Sequence, residues 1–206
     1  MIARILIVLV ALVFAVGILS ISVLQSTSPK YAFTAPTPPQ NNLQDDQFVE
    51  INYPLAFPGP IAPDHPLWPA KAARDRLWLV VTKDLLKKAE VYLLLADKRL
   101  AAAIELFNRD KLEQAVTTAS KAEKYLELAV TQEQIARQAG SDTNLFLQTL
   151  SVATQKHRLE LEKLLSRSPE DAAPVIIEII DYPKSLFSSV KKSLENQGLT
   201  PYEYTF

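Results

Sequence analysis

The chain has 206 residues, with 22 basic and 23 acidic side chains and a formal net charge of −1. This balance excludes the strongly basic surface on which nucleic-acid binding depends, so no nucleic-acid partner is predicted. The sequence has no cysteine, which excludes disulfides, thiolate metal ligands and thiol nucleophiles.

An uncharged apolar run opens the chain, from Ile5 to Leu24, and Arg4 stands just before it. A helix that rises ~1.5 Å per residue crosses a bilayer with about 20 such residues, so residues 1–25 are predicted to be a transmembrane signal anchor. Arg4 lies nearest to the run and favours an N-terminus in the cytoplasm. This predicts a single-pass protein of the cell membrane, with its domain outside the cytoplasm. Two alternatives remain: a cleaved signal, which gives a secreted protein, and a buried core helix.

Prolines dominate the next part of the sequence. Residues 26–52 are polar and rich in proline, so they are predicted to be a disordered, extended linker that holds the domain off the membrane. Within it, residues 36–39 (PTPP) could instead be a ligand for a proline-binding module.

A second proline-rich segment, residues 53–69, carries apolar side chains and is called the strap here. It is predicted to pack as irregular extended backbone over a helical surface. The alternative is a binding groove with aromatic walls and a proline rim. The apolar anchors are Tyr53, Leu55, Phe57, Ile61, Leu67 and Trp68.

Apolar residues then recur every three or four positions, which predicts an all-α domain over residues 53–198, followed by a tail, 199–206, that docks or frays. The first helix is predicted with Ala72, Leu77, Trp78 and Val81 inward. Short connections predict an antiparallel bundle. The predicted helices run from Lys71 to Val81, from Asp84 to Phe107, from an Asp110 cap to Gly140, from Ser141–Asp142 to near Ser166, and from Pro174 to Gly198, with Pro183 kinking or splitting the last.

The second and third helices resemble a tetratricopeptide hairpin, with residues 108–115 at its turn. One such unit is visible, whereas a solenoid needs about three. The sequence therefore predicts a bundle with a tetratricopeptide-like hairpin.

The strap and the helix after it carry a resemblance. Residues 58–69 (PGPIAPDHPLWP), then residues 87–90 (KKAE) and 121–126 (KAEKYL), resemble a family of bacterial domains of unknown function over about residues 53–130. Trp68 stands where that family usually has Tyr, and Pro60 where it has Ile. The resemblance implies an all-helical, membrane-anchored or exported bacterial protein, and it supplies no catalytic residue.

The sequence predicts no catalytic residue, metal site, cofactor or nucleotide. His157 and Glu160 have the spacing of a helical metal pair, but a second pair is missing, so a buried histidine satisfied by hydrogen bonds is predicted. Residues 97–99 (DKR) are predicted to form a solvated face. Arg74 and Arg76 are expected to bind the carbonyl groups of the strap, with an anionic polymer or lipid headgroup as the alternative.

The leading functional hypothesis is a membrane-tethered helical interaction module with an envelope protein as its partner. The alternative is an envelope enzyme or small-ligand binder with its site at the strap. The candidate ligand- or partner-binding residues are Asp64, His65, Trp68, Arg74 and Arg76.

Overall fold

The computed structural model describes residues 50–204, which form five α-helices and no strand, so the predicted all-α bundle is confirmed. The predicted anchor (1–25) and all but the last residues of the predicted linker (26–52) lie outside the described residues. Within residues 50–204, no helix is long and apolar enough to cross a membrane. The helices are α1 (Trp68–Val81), α2 (Leu85–Asn108), α3 (Leu112–Gln138), α4 (Asn144–Ser166) and α5 (Ala173–Asn196).

Two hairpins build the bundle: α2 packs most extensively on α3, and α4 on α5. Short turns join the helices of each hairpin, which makes them antiparallel neighbours. The apolar stripes predicted for α2, α3 and α4 are buried almost throughout. Leu100 and Leu161 belong to one core cluster, and Leu126 and Leu150 to a second. Helical periodicity therefore placed most of the core correctly, because these helices bury a wide face against several partners.

The inward face predicted for α1 is wrong. The helix begins at Trp68, three residues before the predicted start, and Pro69 lies in its first turn. Its buried side chains are Trp68, Asp75 and Leu79, whereas Leu77, Trp78 and Val81 are exposed. Periodicity assigned the larger apolar side chains to the core, but this helix turns a charged residue and two apolar ones toward α2 instead.

The turn between α2 and α3 also differs from the prediction. Asp110 does not cap α3. The N-cap residue of α3 is Lys111, and its side chain makes no capping hydrogen bond. Asp110 has φ 58° and ends α2, because its N–H bonds to Phe107 O and the N–H of Lys111 bonds to Leu106 O. This is the Schellman arrangement, in which glycine usually takes the left-handed position. Gly140 and Gly198 hold that position after α3 and α5, as predicted.

Replacing Asp110 with glycine is expected to raise the free energy of unfolding by about 0.5–1 kcal/mol, because glycine adopts positive φ without a Cβ clash. Urea denaturation of the chain in detergent solution measures the change. Asp110→Ala is the matched control, since it removes the carboxylate and keeps the Cβ. A glycine variant no more stable than the alanine variant would contradict the expectation.

The last two helices depart from the prediction at their termini and at Pro183. The start of α4 is Asn144 rather than Ser141–Asp142, and Asp142 Oδ1 accepts a hydrogen bond from Asn144 N at 3.1 Å. A turn at residues 169–172 precedes α5, as expected. Pro183 does not split α5, which is continuous on both sides of it. Packing of the apolar face against the core holds the helix together across the missing N–H.

The C-terminal tail docks on α4 as far as it is described. The Gln155 side chain donates from Nε2 to Tyr202 O at 2.6 Å and accepts at Oε1 from Tyr204 N at 2.8 Å. Gln155 is buried, so these two bonds satisfy an amide that would otherwise be costly to bury.

Candidate functional site: the strap groove and its buried charges

Lys71 clamps the strap onto the start of α1. Its Nζ donates hydrogen bonds to Pro58 O at 2.6 Å and to Ile61 O at 2.8 Å. Between these carbonyls the backbone turns at Gly59, whose φ of 82° suits glycine. Partial burial lowers the pKa of Lys71. Lys71, rather than the predicted Arg74 and Arg76, therefore binds the carbonyl groups of the strap.

A groove of about 540 Å³ opens between this clamped strap and α1. Its apolar wall includes Phe57, 73% exposed, and Leu67, which is also exposed. Its cationic wall is made by Lys71, Arg74 and Lys98. We call this region the strap groove. Phe57 and Leu67, which the sequence predicted to be apolar anchors, are exposed here instead. The groove offers an apolar surface and positive charge together, which suits an anionic or acidic amphipathic ligand.

Trp68 lies beneath the groove, between two cations. Lys71 Nζ lies 4.9 Å from the centre of its ring, and the Arg99 guanidinium 5.9 Å. The same guanidinium is 4.1 Å from the ring centre of Tyr125 on α3. Burial lowers the pKa of Arg99, though an arginine keeps its charge at neutral pH. Stacking on two aromatic faces supports this buried charge.

The prediction that residues 97–99 form a solvated face is therefore wrong. Asp97 and Arg99 are both buried, on nearly opposite sides of α2. A hydrophilic triplet usually marks a surface, but here Asp97 bonds to Tyr53 and His157, and Arg99 packs on the rings of Trp68 and Tyr125.

Asp97 belongs to a buried charge network centred on His157. His157, which has no exposed surface, donates from Nε2 to Asp97 Oδ1 at 3.1 Å and from Nδ1 to Glu123 Oε1 at 2.8 Å. Tyr53 of the strap donates to Asp97 Oδ2 at 2.8 Å. The network thus joins the strap to α2, α3 and α4. The predicted buried, hydrogen-bonded histidine is confirmed, and Glu160 pairs with Lys156 and Lys163 instead.

Electrostatics keep this histidine protonated. Burial alone lowers the pKa of His157, but Glu123 and Asp97 outweigh it and raise the pKa to about 9. Burial and the Asp97 carboxylate raise the pKa of Tyr53, so its hydroxyl stays neutral and donates. One imidazolium therefore faces two carboxylates, and within the described residues Glu123 Oε2 has no hydrogen-bond partner.

The network holds Tyr53 of the strap through Asp97, and its histidine is enclosed in the bundle. Both ring nitrogens of His157 are committed to carboxylates, and the ring has no route to a substrate. Within residues 50–204, no group of three or more His, Asp or Glu side chains is placed to hold a metal ion. The chemical role of these charges is to fix Tyr53, and with it the strap, on the bundle.

The structure divides the predicted site residues. Arg74 lines the groove and pairs with Asp75 at 2.7 Å, whereas Trp68 does not line it and contacts Lys71 of its cationic wall. Asp64 bonds to Lys111 Nζ at 2.5 Å and lies 3.8 Å from Arg109, and the hydrogen bond from Lys111 lowers its pKa.

The remaining two candidates are exposed. His65 Nδ1 accepts from Leu67 N at 3.1 Å, so it shapes the strap just before α1. Arg76 is exposed on α1. Within the described part of the chain, no hydrogen bond or ion pair joins Asp64 or His65 to either predicted arginine.

Sequence reasoning missed several of the residues that make this site. Asp97, Glu123 and His157 each occupy a position of an apolar helical stripe, for example Glu123 between Ala119 and Leu126. A charged residue within an apolar helical stripe is a signal of a buried charge. This signal was used for His157 and not for Asp97 or Glu123. Lys71 and Lys98 gave no such signal, because lysines are common on exposed helical surfaces.

The model of one protein family, described as Domain of unknown function (DUF5667), matches residues 60–171. This confirms the resemblance to a domain of unknown function, and the match extends through α4 to the turn before α5. No curated protein matches the chain, and no solved structure matches it.

Proposed function

We propose that this chain, which belongs to the DUF5667 family of domains of unknown function, is a membrane-tethered interaction module that binds an envelope protein outside the cytoplasm. The uncharged run from Ile5 to Leu24 supports the tether, and Arg4 before it supports the orientation. The helical bundle supplies a rigid body behind the binding surface.

The observation that carries the proposal is the strap groove. Most of the strap is held to the bundle by Tyr53 and Lys71, yet Phe57 and Leu67 remain exposed beside three cations. Exposed apolar side chains on a fixed backbone bind a partner at low entropic cost, since little must be ordered on binding. The cationic wall selects a partner segment that combines apolar and acidic side chains.

The location can be tested with a single introduced thiol, because the natural chain has no cysteine. Leu145 at the start of α4 is 81% exposed, so Leu145→Cys places the thiol on the surface of the domain. A membrane-impermeant maleimide applied to intact cells is expected to label this variant. Labelling only after lysis would contradict the extracytoplasmic location.

Partner binding can be tested by placing a photo-crosslinking amino acid at position 57. The matched control carries it at position 145, which is apolar and similarly exposed but lies outside the groove. We expect one reproducible protein adduct from position 57 that weakens when Lys98→Ala removes a cation of the groove. Equal adduct patterns from the two positions, or none from position 57, would overturn the proposal.

The volume of the groove favours a second candidate, a binder of small anionic ligands. About 540 Å³ falls within the ~300–1,000 Å³ usual for small-molecule sites, and three cations line it. In that case the position-57 crosslinker would give no protein adduct. A mixture of small anionic metabolites would instead raise the melting temperature of the wild-type chain, and of Lys98→Ala much less.

A further inference from the structure

The last turn of α1 presents four apolar side chains to solvent. Leu77, Trp78, Val80 and Val81 are exposed by 62%, 40%, 75% and 60% respectively, and we call them the outer face. At 100° per residue, Leu77 and Val81 point nearly opposite to the buried Leu79, and Trp78 and Val80 lie about 100° from it on either side. The outer face is therefore directed away from the domain, in addition to the apolar side chains that α1 buries.

Nothing in the described domain covers this surface. Among the helices of residues 50–204, α1 packs only on α2. A cluster of four adjacent apolar side chains, one of them tryptophan, is the kind of exposed patch that marks an interaction site.

The charge around the outer face identifies its occupant. Residues 68–88 contain six basic and two acidic residues, a net charge of +4 in a chain whose net charge is −1. Of the two acids, Asp75 is buried against Arg74, and Asp84 caps α2 through Lys87 N. Arg76, Lys83 and Lys87 are exposed in this segment and Asp84 is its one exposed acid, so the exposed charge near the patch is net basic.

We propose that the outer face of α1 docks on the surface of an anionic phospholipid bilayer. A helix with apolar and tryptophan side chains on one side, flanked by lysine and arginine, binds in the plane of the bilayer interface. Anionic lipids attract each basic residue within about a Debye length, so attraction and burial act together. A second copy of the chain fits less well, because it would bring two net positive surfaces into contact.

This inference rests on the proposed tether for the nearness of the bilayer. The number of residues between the predicted anchor and the described domain, 26–49, sets the greatest distance at which the domain can lie from the membrane. It sets no minimum distance.

The chain has two tryptophans, and only Trp78 lies on the outer face. The full chain is reconstituted into vesicles of phosphatidylcholine with or without one quarter phosphatidylglycerol, using brominated phosphatidylcholine as the quencher. Subtracting the signal of Trp78→Phe isolates Trp78, since Trp68 is buried. We expect strong quenching in the phosphatidylglycerol vesicles, reduced roughly tenfold by the charge reversals Arg76→Glu, Lys83→Glu and Lys87→Glu together. Leu145→Ser is the control and leaves the quenching unchanged.

Two results together would overturn the inference. Aqueous acrylamide would quench Trp78 equally with and without anionic vesicles, and brominated lipid would not quench it. A specific protein adduct from a crosslinker at position 80 would also overturn it, in favour of a protein partner. Extraction of the reconstituted chain with alkaline carbonate tests the anchor separately. If alkaline carbonate releases the chain, the anchor is absent, and quenching of Trp78 by vesicles added to the chain in solution still measures docking. The tether and the docking of the outer face can therefore fail independently.

Discussion

Replacing His157 with leucine is expected to lower the free energy of unfolding by about 3–5 kcal/mol, the usual cost of removing one partner from a buried ion pair. The imidazolium is fully buried and faces Asp97 and Glu123. Leucine has a similar volume, so packing is largely kept while the two carboxylates lose their cation. Urea denaturation in detergent solution measures the loss, and Tyr53 should become more accessible as the strap loosens.

A second variant separates lost charge from lost packing. Adding Glu123→Leu to His157→Leu removes one of the two uncompensated carboxylates and is expected to recover about half of the lost stability, because apolar replacement of both partners is often neutral. If the single variant loses less than about 1 kcal/mol, or if the double variant recovers nothing, the buried charge network does not stabilise the fold as described.

Stability is also expected to fall by about 3 kcal/mol as pH rises from about 6.5 to about 9. The folded-state pKa of His157 is raised to about 9, above the ordinary value of 6.5 in the unfolded chain. The folded state therefore binds the proton more tightly, and this contribution is fully present below pH 6.5. It is lost as pH rises through the folded-state pKa, because a neutral ring no longer offsets the two carboxylates.

Urea midpoints measured across this pH range test the titration. His65→Ala, which removes the other histidine of the sequence, is the control. The slope should disappear in the His157→Leu/Glu123→Leu double variant. A wild-type chain whose stability is flat between pH 6.5 and 9 would show that the imidazolium is not held in its charged form.

The bundle itself could be predicted because its signals are local. Alanine and leucine recur at helical spacing along α2, α3 and α4, and the glycines at 140 and 198 stop two helices where a left-handed residue is required. Termini were less predictable, because Asp110 ends one helix where its sequence suggested the start of the next. The same residue type serves both roles, and only the conformation of the backbone distinguishes them.

The candidate site was predicted only in its general position, at the strap. Arg74 lines the strap groove and Trp68 contacts its Lys71, but Asp64 and His65 were attractive for their chemistry and instead have structural partners. Lys71 could not be preferred over Arg74 or Arg76 from the sequence. Which cation meets the carbonyls of Pro58 and Ile61 depends on the path of the strap across α1.

The sequence alone determined the helical class, most of the core, and a proline-rich strap ahead of the bundle, because periodicity and proline act within a few residues of the chain. Only the tertiary structure decided which charges are buried and which apolar side chains are not. Asp97 and Glu123 come inside because His157 lies across from them on another helix, whereas Leu77 and Val81 stay outside because α1 has a single helical neighbour among the described helices. Burial of a charge depends on partners that are distant in sequence, and a local sequence pattern does not identify those partners.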